Sequence, residues 1–329
     1  MSAKEYDVGN GYTYKHSVIR TGSGGRDVWM VKSVTQNVVN VIEKTYVPRN
    51  DDVFLCTFIK SGTTWVQAIL RELIDIAEGT DTRVEGVSVG LTEGERIPWI
   101  EEMAAIAGPT IYTKRLNEQS PKRRRVFKTH LPYPVVQNWA TKGTKFIFVV
   151  RDPRDVAVSA WHHTRTKNFT YKGPFEHFAN EMFLKGRVEC GNWFEFTKEC
   201  YDAVASASDN CLLLRYENML KDPATAVREV AKFLDVKVNE ENVKQVVNNT
   251  SFDAMRKAEK KGGLRVPGWP KRKLQGADGD GDVTKPSKMH IRSGGSRKWK
   301  SYFDSALERK FLEAYKKHLE KKCSFVLDA

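Results

Sequence analysis

The sequence predicts an α/β fold, a single domain built around a central parallel sheet that is flanked by helices. Three short apolar runs, rich in β-branched and aromatic residues, predict strands at 53–58, 145–150 and 211–215. A helical pattern follows each run, starting near Thr63, at Pro153 and at Pro223. Because this alternation is typical of parallel sheets, functional side chains are expected at the carboxyl ends of the strands.

The extents of the helices follow from periodicity and from residues that start or end helices. The first helix carries a broad apolar stripe that ends at Gly79, and Asp152 caps the start of the second. The third helix spans about 223–234, and an amphipathic helix over 305–322 closes the chain. No internal repeat interrupts this order, which favours one domain.

Two stretches lack helical or strand periodicity and predict loops. The stretch 80–125 is rich in Gly, Pro and acidic residues, a composition that is typical of loops in contact with a substrate. The stretch 257–295 is rich in Gly, Pro and Lys and predicts a long basic surface loop that is mobile without a ligand.

The composition favours a cytoplasmic protein. No run of eighteen apolar residues predicts a membrane span, and the polar N-terminus does not resemble a signal peptide. The five cysteines are scattered without a C-x-x-C pair, which fits a reducing compartment and argues against a disulfide framework or a zinc site.

The net charge of +13 is unevenly distributed. Residues 256–300 hold fourteen Lys and Arg against four Asp and Glu, and a second basic cluster occupies 122–125. Such a field favours anionic partners, which include nucleotides, nucleic acid, acidic lipid and sulfated sugars. A solvated surface is the alternative interpretation of each basic cluster.

The segment 60–65 has the pattern of an anion-binding turn between a strand and a helix. Lys60 adds a point charge, and the hydroxyls of this segment add hydrogen-bond donors. A nucleotide triphosphatase loop would place its Lys directly after the second Gly, whereas here Lys60 precedes Gly62. Trp65 offers an aromatic surface on which a base could stack. The alternative is an ordinary turn with a helix cap.

Two further strand ends carry candidate functional residues. His130 follows a strand-like Val126-Phe127 and is suited to taking a proton from an acceptor hydroxyl. Arg151 follows the 145–150 run, and Ser159 lies two turns into the next helix, so the pair is suited to a phosphate monoester. The alternatives are a histidine in an ordinary loop and a structural salt bridge between Arg151 and its neighbour Asp152.

Four motifs together resemble the cytosolic sulfotransferases over about residues 40–320. They are Lys60-Ser61-Gly62-Thr63-Thr64-Trp65, Lys128-Thr129-His130-Leu131-Pro132, Arg151 with Ser159, and Thr250-Ser251-Phe252-x-x-Met255. The resemblance implies a P-loop-kinase-like sulfotransferase fold. It also implies the family's reaction, in which a sulfuryl group moves from 3′-phosphoadenosine 5′-phosphosulfate (PAPS) to a hydroxyl or amine and leaves adenosine 3′,5′-bisphosphate (PAP).

The resemblance also implies roles for individual residues. Residues 60–65 would hold the 5′-phosphosulfate, with Trp65 against the adenine, and Arg151 and Ser159 would bind the 3′-phosphate. The remaining nucleotide-binding positions would be Tyr216, Thr250, Ser251, Phe252, Met255, Arg292, Ser293 and Gly294. Residues 1–35 would contribute to the acceptor pocket, and 36–329 would form the sulfotransferase domain.

The implied mechanism is an in-line transfer with His130 as the base. Lys60 and Lys128 would neutralise the charge that builds on the bridging and sulfuryl oxygens, and Ser159 belongs to the same catalytic set. Because Lys and Arg supply the positive charge, no metal is implied. The acceptor would be a small hydroxylated molecule such as a phenol, a steroid or another alcohol, and the sequence does not identify it.

The chain departs from the family pattern in three places. The usual Arg-Lys-Gly reads Arg292-Ser293-Gly294, and Arg297 or Lys298 could replace the missing cation. The basic loop is about a dozen residues longer than usual, and its acidic repeat at 278–282 lacks the Gly and Glu of a calcium loop. The family's dimer motif would fall at 300–309 but is not matched there, so a homodimer is left open.

Two other functions remain as alternatives. One is a carbohydrate sulfotransferase, although the membrane anchor of such Golgi enzymes is not found in the sequence. The other is a non-catalytic protein that binds nucleotide or nucleic acid through its basic loop. The small number of aromatic residues in that loop argues against this alternative, because few bases could stack there. The favoured expectation is therefore an enzyme with no nucleic-acid partner.

Overall fold

The computed structural model describes residues 4–22, 25–79, 97–121, 123–165, 171–207, 209–260, 291–292 and 294–327. Its strands are β1 (Lys4–Asp7), β2 (Thr13–Arg20), β3 (Asp27–Met30), β4 (Val53–Thr57), β5 (Val126–Thr129), β6 (Lys145–Val150) and β7 (Cys211–Arg215). Its helices before β7 are α1 (Gln36–Thr45), α2 (Thr63–Ala77), α3 (Ile100–Ala107), α4 (Pro109–Asn117), α5 (Tyr133–Val136), α6 (Pro153–Thr164), α7 (Phe175–His177, continued by a π-helix over Phe178–Phe183) and α8 (Trp193–Ser206). Those after it are α9 (Tyr216–Lys221), α10 (Pro223–Phe233), α11 (Glu240–Asn249), α12 (Phe252–Lys260) and α13 (Ser305–His318).

The central sheet is parallel and has the strand order β5-β4-β6-β7. This confirms the predicted fold class, and the predicted helices correspond to α2, α6, α10 and α13. The side chain of Asp152 caps α6 as expected, because it accepts a hydrogen bond from the Arg154 backbone N–H at 2.8 Å.

Successive side chains of the buried strands point to opposite faces of the sheet, so the apolar interior is divided into two layers, one on each face. In β4, Phe54 and Cys56 belong to one cluster of buried side chains, whereas Val53 and Leu55 belong to the other. Strand β6 repeats the pattern, with its phenylalanines on the first face and Ile147 on the second. Because both faces are covered, the sheet is exposed to ligands at the ends of its strands.

The N-terminal segment forms a second, antiparallel sheet of order β1-β2-β3, which the sequence did not predict. Tyr14 and His16 lie two residues apart on β2, so their side chains share one face of the strand, and both are buried. Two of the three strands have only four residues, so they give too little periodicity to be recognised. The backbone N–H of Cys190 donates to the Trp29 carbonyl at 2.8 Å and ties this sheet to the main body.

Two predicted loop segments differ from expectation. Within 80–125, residues 97–121 include the helices α3 and α4, which pack on α1 and bury Trp99 and Tyr112. Helix α12 extends to Lys260, into the predicted basic loop. Of that loop, residues 261–290 and Ser293 lie outside the described residues, as do the acidic repeat at 278–282 and the residues 80–96. Among the described helices, none is long and apolar enough to cross a membrane.

Two arginines of the basic cluster at 122–125, Arg124 and Arg125, make internal contacts, whereas Arg123 is exposed as a solvated surface would be. Arg125 is buried and its Nε and Nη2 each donate to a carboxylate oxygen of Asp52 at 2.7 Å. Nη1 of Arg124 donates to the Leu234 carbonyl at 2.5 Å, and Arg123 lies 3.7 Å from a carboxylate oxygen of Glu78. Asp52 and Arg125 directly precede β4 and β5, so their ion pair joins the amino-terminal ends of two adjacent strands. Lys122 lies outside the described residues.

We expect Asp52→Asn to destabilise the fold strongly, because it would leave the Arg125 guanidinium buried without a counter-charge. The free energy of unfolding should fall by about 3–5 kcal/mol in a denaturant titration. Glu240→Gln is the matched control, since the Arg228–Glu240 pair is exposed and its loss should leave the denaturation midpoint nearly unchanged. Equal effects of the two substitutions would contradict the assigned role of the buried pair.

Candidate functional site at the carboxyl edge of the sheet

The four parallel strands deliver the predicted site residues to one edge. Lys60, His130, Arg151 and Tyr216 follow β4, β5, β6 and β7 respectively. The registers align these ends, because Cys56 lies opposite Thr129 and Val150 lies opposite Arg215. The convergence predicted from the strand order is therefore present.

The loop at 60–62 turns sharply from β4 into α2. Its backbone enters the left-handed region at Lys60 (φ 65°) and at Gly62 (φ 113°). A Cβ atom at Gly62 would lie 2.8 Å from Cδ2 of the Tyr216 ring, so only glycine fits there. The hydroxyl of Ser61 is buried and has no hydrogen-bond partner within the described part of the chain. A donor left in this state beside a helix N-terminus is suited to an anionic oxygen.

Lys60 lies among positive charges. Burial, together with the charge of the nearby Arg151 guanidinium, lowers the pKa of Lys60 to about 8. Glu259 opposes this effect, and Arg292 adds to it. An ammonium group in such surroundings is stabilised by an anion, which would restore its charged form.

Arg151 links three parts of the site. Its Nη1 donates to the Lys60 carbonyl at 3.0 Å and its Nη2 to the Gly295 carbonyl at 2.9 Å. The guanidinium carbon lies 4.3 Å from the centre of the Tyr216 ring. Nε is buried and finds no partner among the described residues. The structural salt bridge considered for Arg151 is not formed, because Asp152 pairs instead with Arg154 at 2.7 Å.

His130 is held in one tautomer by the strand next to it. Its Nδ1 lies 2.7 Å from the Thr57 carbonyl, so Nδ1 carries the proton and Nε2 is the basic nitrogen. The backbone N–H of His130 donates to Oε1 of the buried Glu101 at 2.8 Å. Burial and the positive charge of Lys128 hold the pKa of His130 well below its usual value, so the ring is neutral. A neutral imidazole with a free Nε2 can accept a proton.

An aromatic ring separates the second lysine from the histidine. Nζ of Lys128 lies 4.1 Å from the centre of the Trp99 ring, and the same ring meets the edge of the His130 ring at 4.9 Å between centres. Burial lowers the pKa of Lys128, while Glu101 and the buried Glu189 oppose that shift. Lys128 and His130 belong to a recognisable sequence motif, whereas Trp99 and the two carboxylates lie in other segments of the chain that carry no motif.

The remaining nucleotide-binding candidates surround the Tyr216 ring. Trp65 meets this ring edge-on at 5.7 Å between centres, and the Gly295 N–H donates to the Tyr216 hydroxyl at 3.3 Å. A Cβ atom at Gly294 would lie 2.2 Å from Cδ2 of Phe252, so the 250–255 and 294–295 segments pack closely. The structure therefore brings these predicted segments together.

Other candidates are placed by the structure in supporting positions. The Thr250 hydroxyl donates to the Val246 carbonyl at 2.8 Å, that of Ser251 donates to the Asn248 carbonyl at 2.8 Å, and Met255 is buried. Arg297 directs its backbone N–H to Asp155 at 2.7 Å. Ser159 is partly exposed in the second turn of α6. Within the described residues, no group of His, Cys, Asp and Glu is arranged to hold a metal ion.

Comparison with known proteins gives consistent similarities. A family model described as the sulfotransferase domain matches residues 50–322. Sulfotransferase 1B1 of Canis lupus familiaris is 30% identical over 275 residues, which cover 82% of this chain and 84% of that protein. Sulfotransferase 2B1 of Homo sapiens is 28% identical over 293 residues, which cover 88% of this chain and 72% of that protein.

Solved structures show the same fold at lower identity. Mouse sulfotransferase SULT7A1, complexed with PAP, aligns with a TM-score of 0.64 at 23% identity and covers 89% of this chain and 92% of its own. Retinol dehydratase, in complex with androsterone and the inactive cofactor PAP, aligns with a TM-score of 0.69 at 23% identity. The alignment covers 96% of this chain and 91% of retinol dehydratase. Because the family model spans most of the sequence and agrees with the four motifs, the chain belongs to the sulfotransferase family.

Proposed function

We propose that this sulfotransferase moves the sulfuryl group of PAPS to a hydroxyl of a small acceptor, with His130 as the base. The observation that carries the proposal is the hydrogen bond from His130 Nδ1 to the Thr57 carbonyl, which leaves Nε2 as a proton acceptor. Two related proteins favour a small acceptor. Retinol dehydratase is crystallised with androsterone, and a relative from Cavia porcellus, 25% identical over 281 residues, is a 3-beta-hydroxysteroid sulfotransferase.

The residues on the sheet edge fit the anionic ends of PAPS. The 5′-phosphosulfate would be held by the Ser61 hydroxyl, which has no partner among the described residues, by the ammonium of Lys60 and by the N-terminus of α2. The guanidinium of Arg151 and the hydroxyl of Ser159 would bind the 3′-phosphate, together with Arg292, Ser293 and Gly294. The edge-on pair of Trp65 and Tyr216 would form one side of the adenine site.

The proposed transfer balances in a single step. Nε2 of His130 takes the acceptor proton while the acceptor oxygen forms a bond to sulfur. The bond between sulfur and the bridging oxygen breaks, and its electron pair stays with the 5′-phosphate of the leaving PAP. Lys60 stabilises the charge on the bridging oxygen, and Lys128 that on the sulfuryl oxygens, because both ammonium groups lie at this edge of the sheet.

The alternatives receive less support from the described residues. Arg125 is bonded to Asp52 and Arg124 to the Leu234 carbonyl, so these two cations of the second basic cluster are engaged within the fold. We propose a cytoplasmic location, and a contribution of residues 1–35 to the acceptor pocket, which is supported by the hydrogen bond from Ser33 to Glu102.

We expect His130→Ala to lose turnover by about 10²–10⁴-fold while it retains affinity for PAP, because the ring acts on the acceptor proton. Steady-state sulfation of a phenol panel and calorimetric titration with PAP would measure the two effects. His318→Ala is the control, since that ring stacks on Phe194 away from the sheet edge. Turnover that survives the loss of His130 would refute its assignment as the base.

We expect PAP binding to take up about half a proton at pH 8, because the anion restores the charge of a Lys60 ammonium whose pKa is about 8 without it. Calorimetry in two buffers of different ionisation enthalpy measures the uptake directly. The uptake should fall as the pH drops below 7, where Lys60 is already protonated, and Lys60→Met should abolish it. An uptake that Lys60→Met leaves unchanged would assign the proton to another group.

We expect Ser159→Ala to weaken PAP binding by about 10–100-fold and to leave adenosine 5′-monophosphate binding unchanged, since only PAP carries the 3′-phosphate. Arg151→Lys should act in the same direction, because an ammonium cannot replace the guanidinium fork. Ser206→Ala, at a hydroxyl that bonds its own helix, serves as the control. Equal losses for both nucleotides would show that Ser159 does not recognise the 3′-phosphate.

A further inference from the structure

Asp155, in the first turn of α6, binds a distant segment of the chain through both oxygens of its carboxylate. The side chain is buried. Its Oδ2 accepts the backbone N–H of Arg297 at 2.7 Å, and its Oδ1 accepts that of Trp299 at 3.1 Å. The motifs of the sequence do not include Asp155, and the proposed transfer does not use it. Its two bonds therefore call for a separate explanation.

The segment 294–299 connects this carboxylate to the proposed nucleotide site. The carbonyl of Gly295 accepts a hydrogen bond from Nη2 of Arg151 at 2.9 Å, and its N–H donates to the Tyr216 hydroxyl at 3.3 Å. Two residues later, Arg297 adopts the left-handed backbone conformation (φ 62°). This conformation is costly for a residue with a side chain and persists only where the surroundings hold it. The bond from the Arg297 N–H to Asp155 provides that restraint.

A ring contact fixes the same segment at a second point of α6. The buried Trp299 ring lies against Arg154, whose guanidinium carbon is 3.8 Å from the ring centre. Arg154 is in turn paired at 2.7 Å with Asp152, the residue that caps α6. The first turn of α6 therefore holds the segment through its backbone and through a side chain.

The position of this segment determines how the Arg151 guanidinium is held. Nη1 of Arg151 is anchored on the Lys60 carbonyl and Nη2 on that of Gly295, so two fixed points orient the planar group. Nε has no partner among the described residues and is a donor left for a phosphate oxygen. Burial raises the pKa of Asp155, and the charge of Arg151 is the largest effect that opposes this rise. The carboxylate is thus also within electrostatic reach of the guanidinium.

We propose that Asp155 is a positioning residue for the 3′-phosphate site. It holds the segment 294–299 so that Gly295 fixes the Arg151 guanidinium, and the protein thereby prefers a nucleotide that carries a 3′-phosphate. Asp155 acts through Arg151 and does not itself contact the nucleotide. This inference rests on the proposed function, because it assumes that Arg151 binds the 3′-phosphate.

The test compares the affinities of the wild-type protein, Asp155→Asn and Asp155→Ala for PAP and for adenosine 5′-monophosphate, by calorimetric titration. The Asn amide has one oxygen to accept the two backbone N–H groups, and Ala has none. We expect Asp155→Asn to weaken PAP binding by about 10-fold and Asp155→Ala to weaken it more, with the affinity for adenosine 5′-monophosphate unchanged. The KM for PAPS should rise with the loss of PAP affinity, whereas kcat at saturating PAPS should stay within about twofold of wild type.

Asp222→Asn is the matched control for the loss of a carboxylate that accepts a backbone N–H. The exposed Asp222 side chain accepts the Thr225 N–H at 3.0 Å at the start of α10. This variant should bind both nucleotides as the wild-type protein does. Thermal denaturation shows whether each variant is folded, and Asp155→Asn carries the comparison if Asp155→Ala does not fold.

A double substitution tests whether Asp155 acts through Arg151. In an Arg151→Lys background, Asp155→Asn should change PAP affinity little, because the guanidinium that the segment orients is already gone. Additive losses would show that the two residues act independently and would overturn the inference.

The remaining outcomes separate this inference from the proposed function. If the wild-type protein prefers PAP and Asp155→Asn keeps that preference, the role of Asp155 is overturned while the proposed 3′-phosphate site stands. Equal losses of affinity for both nucleotides would also overturn it, since they would indicate a general effect on the fold. If the wild-type protein binds PAP no more tightly than adenosine 5′-monophosphate, the proposed 3′-phosphate site fails and the inference fails with it.

Discussion

The site depends on the last residue of β4, since Thr57 joins the base to the anion-binding loop. Its carbonyl accepts the Nδ1 proton of His130, and its hydroxyl bonds that of Thr63, the first residue of α2, at 2.7 Å. One buried residue thus fixes the tautomer of the base and the start of the helix whose N-terminus faces the anion. The rigid parallel sheet places this residue between its neighbouring strands, so the reacting groups inherit their geometry from strand pairing.

Arg151 provides the second constraint. A guanidinium with five donors binds the carbonyls of Lys60 and Gly295 and lies over Tyr216. The left-handed backbone at Lys60, unusual for a residue with a side chain, is held by this contact. The 3′-phosphate proposed for Arg151 would therefore bind to a group that also fixes the position of the lysine at the other end of the nucleotide.

The parts that the sequence predicted are those in which local pattern and global structure agree. The run at 145–150 is predictable because it is apolar and buried on both faces, and the run at 211–215 because three leucines follow one another. Residues 60–65 are predictable because the loop and the helix start adjoin. The strands β1 and β3 are too short, at four residues each, to show a periodicity. The helices α3 and α4 were not predicted because their burial comes from packing on α1. Glu101 could not be identified either, because its hydrogen bond with the His130 backbone joins chain segments that are distant in sequence. The buried ion pair of Arg125 with Asp52 could not be predicted for the same reason.

The hydrogen bond between Cys190 and Trp29 has a consequence for the order of assembly. It joins the N-terminal sheet to a segment that is synthesised after most of the central sheet. The loop at 60–62 and His130 are made early, but Arg151, Tyr216 and Gly295, which hold that loop in place, are made later. A nascent chain could therefore join its N-terminal sheet to residues 188–191 first, whereas its nucleotide-facing edge would be complete only after Gly295 has been made.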